Sequence, residues 1–214
     1  MSALTVDGRR FYPTTMGYVP SVSTVLRRTF PGPVAQDEAQ EADWDAKRDR
    51  GTQVHELIAQ GYVESDVYAH LPDDIQYALI ARQRFAWDWR FKQRDSEIEL
   101  ASSEMGYGGK PDADGMVRPR TFLGSRICGR ILADWKTGRL HTAYIRRQLG
   151  AYYGLYVERY PRRNLVGAIG VGLDCATGAY TAIAIPRDEL ILEHQAFMQT
   201  LKQIQEEETC PILN

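Results

Sequence analysis

The sequence predicts an α/β protein with a mixed central sheet, and three observations carry that reading. Periodic segments follow one another in the order helices, strands, helix, strands, helix. The 214 residues are 43% hydrophobic and 25% charged, enough to enclose one sizeable core. No repeat, low-complexity tract or linker interrupts them, so the expectation is one domain over residues 1–214.

In chain order, "LTVDGRRFY" reads as a hairpin turning at Asp7-Gly8, a dipeptide suited to a tight two-residue turn. "PSVSTVLRR" reads as a short helix with Ser21 near its cap. Residues 34–61 have a helical pattern with a break near Gly51, and a long amphipathic helix is expected from Asp73 to Lys92. The pattern then changes to three strands, "SEIELASSEMGY", "GKPDADGMV" and "ICGRILADWK". A helix from Ala143 to Tyr160 follows, then the strands "NLVGAIGVGL" and "YTAIAIP", and a last helix from Asp188 to Glu207.

No apolar run is long enough to span a bilayer, so no membrane partner is expected. The opening "MSALTVDGRR" lacks the basic start and apolar stretch of a secretory leader, which points to a cytoplasmic protein. Three cysteines, Cys128, Cys175 and Cys210, are odd in number and far apart. They argue against a disulfide framework or a CxxC metal site and suit a reducing compartment.

Net charge is −2 with pI ≈ 6.1, so the whole molecule is no obvious binder of polyanions. The distribution is uneven: from Arg118 to Arg147 there are eight basic residues and one acid, Asp134. The acids gather elsewhere, as in "QDEAQEADWD". A local positive field of this kind serves a phosphate backbone, although a solvated arginine-rich surface would look the same.

The chemistry gathers on a few acids. In "ILADWKTGRL" a greasy strand ends with Asp134 and Lys136, two residues apart and so on one face. Asp112 and Asp114 share a face of the preceding strand in the same way, and Glu104 lies upstream. If the strands of Asp112 and Asp134 pair, two carboxylates and a lysine converge at one edge of the sheet. Hard oxygen ligands suit Mg²⁺ or Mn²⁺, and a neighbouring lysine can orient water or screen charge on phosphate. Taken alone, an Asp-x-Lys motif recurs by chance and is better explained as a surface ion pair, with Asp112–Gly115 a plain turn. Two other motifs fail: "DADG" lacks the later ligands of a calcium loop, and "GVGLDC" lacks the third glycine of a dinucleotide fingerprint.

Four elements in order change the balance. "RGTQVHELI" carries His55 four residues after a glycine, "GGKPDADG" carries Asp112, "LADWKTG" carries Asp134 and Lys136, and "RRQLGAYYGLY" carries Gln148 and Tyr152 on one helical face. This resembles the RecB-like branch of the PD-(D/E)XK nuclease superfamily, with its GxxxH, GxxD, D-x-K and QxxxY motifs. "VPSVSTVL" and "KRDRGTQVH" add to the likeness to phage-type and mitochondrial-type exonucleases, and the resemblance runs from Pro20 to Tyr153.

The resemblance implies a restriction-endonuclease-like αβββαβ core with helices flanking the sheet. An N-terminal hairpin and helices would occupy residues 1–62 and the catalytic sheet residues 95–185. It implies that Asp112 and Asp134 bind metal with the carbonyl of Trp135, that His55 and, more weakly, Glu104 add ligands, and that Lys136 is the catalytic lysine. Gln148 and Tyr152 would organise the site or hold phosphate. For His55 a helix histidine satisfied within the core is the alternative, and for Gln148 and Tyr152 ordinary helix packing. DNA contacts are expected from Lys110, Arg130, Arg139, Arg146 and Arg147. The implied activity is a Mg²⁺- or Mn²⁺-dependent DNA exonuclease in recombination, repair or phage DNA processing, in a bacterial or phage-infected cell. Alternatives are a structure-specific endonuclease of the same fold and a non-catalytic DNA-binding or assembly module. Further candidate partners are a single-strand annealing or binding protein and a second copy of the chain. Members that hold an iron–sulfur cluster use four cysteines, so three in total, with only Cys210 near the end, predict no cluster.

Overall fold

A computed structural model describes residues 3–32, 36–61, 68–118 and 127–209. Arg120 and Arg126 of the basic window, Cys210, and residues 1–2, 33–35 and 62 of the predicted N-terminal region lie outside them.

The chain opens with β1 (Leu4–Val6), β2 (Arg9–Thr14) and β3 (Gly17–Pro20), an antiparallel three-stranded sheet. Asp7 and Gly8 both have positive φ, 48° and 69°, as a two-residue hairpin turn of this hand requires. Helix α1 (Val22–Thr29) begins at Ser21, whose hydroxyl accepts the amide N–H of Thr24 at 3.0 Å. Helix α2 (Glu38–Ala59) is capped by Asp37 and runs without a break through Gly51. Its first half is largely exposed, while Val54 and Ile58 are buried. The expected interruption is absent because Gly51 packs against the main sheet: a methyl there would sit 3.3 Å from the hydroxyl of Thr137.

Helix α3 (Asp73–Asp88) leads into β4 (Lys92–Ser96). The expected continuous strand "SEIELASSEMGY" is instead the end of β4, then β5 (Leu100–Ser102), a turn, and the start of β6 (Tyr107–Gly109). Strands β5 and β6 form their own hairpin. The main sheet continues with β7 (Ala113–Val117) and β8 (Gly129–Thr137). Then come α4 (Thr142–Arg159), β9 (Leu165–Leu173), β10 (Tyr180–Pro186) and α5 (Arg187–Thr209).

Five strands make the central sheet in the order β10-β9-β8-β7-β4. All neighbours are antiparallel except β8 and β9, which are parallel and joined through α4. Helix, three antiparallel strands, crossover helix and parallel strand give the αβββαβ order, with the β5–β6 hairpin inserted. Apolar clusters cover both faces of this sheet. One packs α1, α4 and α5 together around Tyr107, Leu149, Tyr156 and Phe197. The other packs α2 and α3 around Phe85, Trp89 and Trp135.

The first face depends on small residues in α4. A methyl on Gly150 would lie 2.5 Å from Cβ of Glu193 and 2.7 Å from its carbonyl carbon. Backbone cannot yield as a side chain can. Gly150→Ala is therefore expected to destabilise the fold by about 1–3 kcal/mol, measured as a lower denaturant midpoint at unchanged m-value. Among the described residues no helix is long and apolar enough to cross a membrane.

Candidate active site

Strand β8 alternates as its sequence requires. Ile131, Ala133 and Trp135 belong to the cluster against α3, with the Trp135 ring edge-on to Phe85 and Phe91. Leu132, Asp134 and Lys136 therefore share the other face, the one α4 covers. There the Lys136 Nζ stands 2.5 Å from Asp134 Oδ2.

The strand register brings the second acid in. β7 and β8 pair with Ala113 opposite Ala133, and the pairing stops there. Trp135 thus lies beyond the end of β7, and its N–H is free of the ladder on that side. Asp112, the residue before β7, fills the place: its Oδ2 accepts the Trp135 N–H at 2.7 Å. Its Oδ1 lies 3.1 Å from Nδ1 of His55 on α2. Because a strand residue directs its N–H and C=O to one side, the Trp135 carbonyl faces the same end of β7.

Burial sets the charges of this group. Asp134 is only 1% exposed, and burial pushes its carboxyl up to about 6, against the pull of the Lys136 ammonium and with a further push from Asp112. For Lys136, burial works against the charged form, but the Asp134 and Asp112 carboxylates outweigh it and hold the pKa above its ordinary value. His55 follows the same logic: burial lowers its pKa, while the hydrogen bond to Asp112 and that carboxylate's charge raise it to a higher net value.

Helix α4 supplies the opposite side. Gln148 Nε2 donates to the Tyr152 hydroxyl at 2.9 Å, both side chains being buried. Burial, together with the two carboxylates, keeps the Tyr152 phenol protonated far above the ordinary range. Tyr152 reaches its position because β6 presents Gly109 to it; a methyl there would lie 2.6 Å from the ring. Tyr144, one turn before Gln148 on the same face, lines the same space.

These groups open on one cleft of about 750 Å³, walled by α2, the start of α1, the N-terminal sheet and the end of the main sheet. His55, Asp112, Asp134, Lys136, Gln148 and Tyr152 all line it, as do Lys110, Glu97 and Tyr144. Ligand atoms of His55, Glu97 and Asp112 lie within 4.8 Å of one another. One imidazole and clustered carboxylates are a donor set that fits a divalent cation such as Mg²⁺ or Mn²⁺.

Other predicted positions fall elsewhere. Glu104 is exposed in the turn between β5 and β6 and lines a separate cavity with Glu158 and Arg159. The reason is that the chain turns back after β5 instead of continuing as a strand. The acid that reaches the cleft is Glu97, which sequence reasoning passed over. It follows β4 in a left-handed conformation, φ 52°, that no residue pattern announces. Asp114 points into the α4 interface, fully buried with Arg130 at 2.6 Å and hydrogen-bonded to Tyr156.

The basic residues divide similarly. Arg130 is held by Asp114, and Arg146 and Arg147 are held by α5, through Glu189 and Glu193 at 2.5–3.0 Å. All three therefore brace elements in this structure: Arg130 ties β8 to β7, and Arg146 and Arg147 tie α4 to α5. Arg139 is exposed just after β8, and Lys110 lies in the cleft, ion-paired with Glu97. Reversing Arg146 to Glu is expected to destabilise the protein by about 1–2 kcal/mol through like-charge contact with the two glutamates. If the chain binds DNA, the salt dependence of that binding should stay unchanged; a flatter slope would put Arg146 on phosphates.

No known family model matches the chain, and no curated protein matches it. Among solved structures the chain is similar to an alkaline exonuclease, LHK-Exo, from Laribacter hongkongensis. Identity is 16%, coverage is 87% of this chain and 88% of that one, and the TM-score is 0.38. A structure of LHK-Exo in complex with dAMP is similar at 17% identity over 86% of this chain and 77% of that one, with a TM-score of 0.36.

Proposed function

We propose that the protein is a nuclease of the PD-(D/E)XK superfamily, RecB-like branch, acting as a Mg²⁺- or Mn²⁺-dependent exonuclease on DNA. One observation carries the reading. The GxxxH, GxxD, D-x-K and QxxxY motifs are scattered from residue 51 to residue 152, yet their His55, Asp112, Asp134, Lys136, Gln148 and Tyr152 all line one cleft. Packing alone gives no reason to aim two acids, a lysine and a histidine into the same opening.

Asp112, Asp134, His55 and the Trp135 carbonyl would hold the cation, which when bound supplies a Lewis acid to a phosphoryl oxygen and lowers the pKa of water. The chain's own groups do the rest. Lys136 stays charged beside Asp134 and places an ammonium where negative charge grows on the phosphate. The Tyr152 hydroxyl, kept protonated and steered by Gln148, remains a donor for a phosphate oxygen. The N–H of Trp135 fixes the Asp112 carboxylate.

The cleft is walled by α1 and α2 as well as by the sheet, which favours a strand entering by its end. Among the described residues no element resembling a groove-reading recognition helix accompanies it, so cleavage should be indifferent to base sequence. Incubating linear DNA and a covalently closed circle of the same sequence in one tube with Mg²⁺ tests this. Progressive loss of the linear form with survival of the circle is expected. Equal loss of both would overturn the exonuclease reading in favour of an endonuclease.

A further inference from the structure

We propose that Glu97 is a further ligand of the cation, closing a triangle with His55 and Asp112, and that Lys110 occupies its carboxylate until the cation displaces it. The proposal rests on the metal-dependent nuclease reading for its context, but its test reads metal binding by itself.

Of the acids lining the cleft, the exposed Glu56 apart, each has a cationic or N–H partner within the protein. Asp134 has Lys136 at 2.5 Å. Asp112 has the Trp135 N–H at 2.7 Å and His55 at 3.1 Å. Glu97 has Lys110. The three inner acids are thus already paired, and a cation bound among them must replace some of these partners. The Trp135 N–H is backbone, and the Asp134 side chain that holds Lys136 is only 2% exposed. The Lys110–Glu97 pair is the replaceable one, because its carboxylate is 30% exposed and an ammonium on a four-carbon stem can swing aside.

Geometry favours the exchange. The ligand atoms of His55, Glu97 and Asp112 all lie within 4.8 Å, a spacing that small side-chain rotations convert to one coordination sphere. Glu97 and Asp112 are also joined through the backbone, the Glu97 N–H donating to the Asp112 carbonyl at 2.9 Å. A second, independent sign of a missing ligand stands in the same cleft. Gln148 is 5% exposed, and its Oε1 has no hydrogen-bond partner among the described residues. Water bound to a cation would satisfy it. Once displaced, the Lys110 ammonium faces the cleft free to meet a phosphate, so cation loading and DNA contact share one side chain.

The test is a calorimetric titration of Mn²⁺ into metal-free wild type, Glu97→Gln, Lys110→Ala and the double variant. Glu97→Gln should weaken binding about 10- to 100-fold. Lys110→Ala should tighten it several-fold, because the competitor is gone. In the double variant the gain from Lys110→Ala should vanish, since without Glu97 the lysine competes for nothing. Equal tightening with or without Glu97 would mean that Lys110 acts only as a nearby charge, and unchanged affinity in Glu97→Gln would remove the residue from the ligand set; either overturns the proposal. Should Glu97→Gln fail to fold, Glu97→Asp, which retracts the carboxylate by one methylene, replaces it in the same cycle, and unchanged affinity in Lys110→Ala would still overturn the proposal. The two readings separate cleanly. Coupled Mn²⁺ binding without DNA cleavage would leave the ligand set standing and remove the nuclease, whereas a DNA-cleaving protein indifferent to Glu97 would do the reverse.

Discussion

Lys136→Ala is expected to lower DNA hydrolysis by at least about 100-fold, the cost of removing one well-placed donor to developing charge. The residue closes β8, with Trp135 before it anchored among aromatic rings, so the strand should keep its place. What changes is Asp134, left 1% exposed with no ammonium beside it. Its carboxyl should then hold a proton to still higher pH, and the variant's remaining activity should shift toward alkaline conditions. Lys136→Arg separates the effects: it restores a counter-charge and therefore the pH profile, but cannot restore the rate, because the planar guanidinium places its protons differently. A Lys136→Ala protein with near-normal turnover would remove this side chain from the chemistry.

Metal affinity should depend steeply on pH. Burial raises the Asp134 carboxyl to about 6, and the Asp112 interaction raises His55, so both hold protons more tightly in the fold than outside it. The stability this contributes is present at low pH and is lost as pH rises through the raised values. Above about pH 6 the metal-free fold therefore carries an ionised, buried Asp134 that a cation would relieve. Binding requires an ionised carboxylate and a neutral imidazole, so each must release its proton first. Mn²⁺ affinity should fall about tenfold between pH 7.5 and pH 5 from Asp134 alone, and further from His55. In His55→Ala only the component centred near 6 should remain. Calorimetry in buffers of different ionisation enthalpy counts the protons. A flat affinity between pH 5 and 8 would exclude both groups as ligands.

The parts of this site that follow from local periodicity were legible in the sequence. Asp134 and Lys136 share a face because side chains alternate along a strand. Gln148 and Tyr152 share one because four residues make just over one helical turn. The same rule held two signals that went unread: Tyr144 lies four residues before Gln148, on its face, and Arg146 lies two before it, about 200° around the helix. Glu97 was not legible. Glu97, Glu99 and Glu104 look alike in "SEIELASSE", and which one reaches the cleft depends on a left-handed residue and a hairpin that set the chain's path. The sheet was legible as mixed because strands flank a helix of crossover length, but the insertion of β5 and β6 outside it was not. That division depends on packing against α1 and the N-terminal strands, contacts too distant in sequence for a local pattern to encode.

The hydrogen bond from the Trp135 N–H to Asp112 also bears on how this chain can change. The position of Asp112 is measured against backbone, not against another adjustable side chain. A glutamate there would be one methylene too long to receive that N–H at 2.7 Å while keeping His55 at 3.1 Å. Asp134 is under no such backbone ruler, since its partner is the side chain of Lys136. Mutational drift through Glu at 134 thus leaves an open route for descendants of this protein, whereas at 112 the route is closed, and in a library of functional variants position 112 should be the more nearly invariant of the two acids.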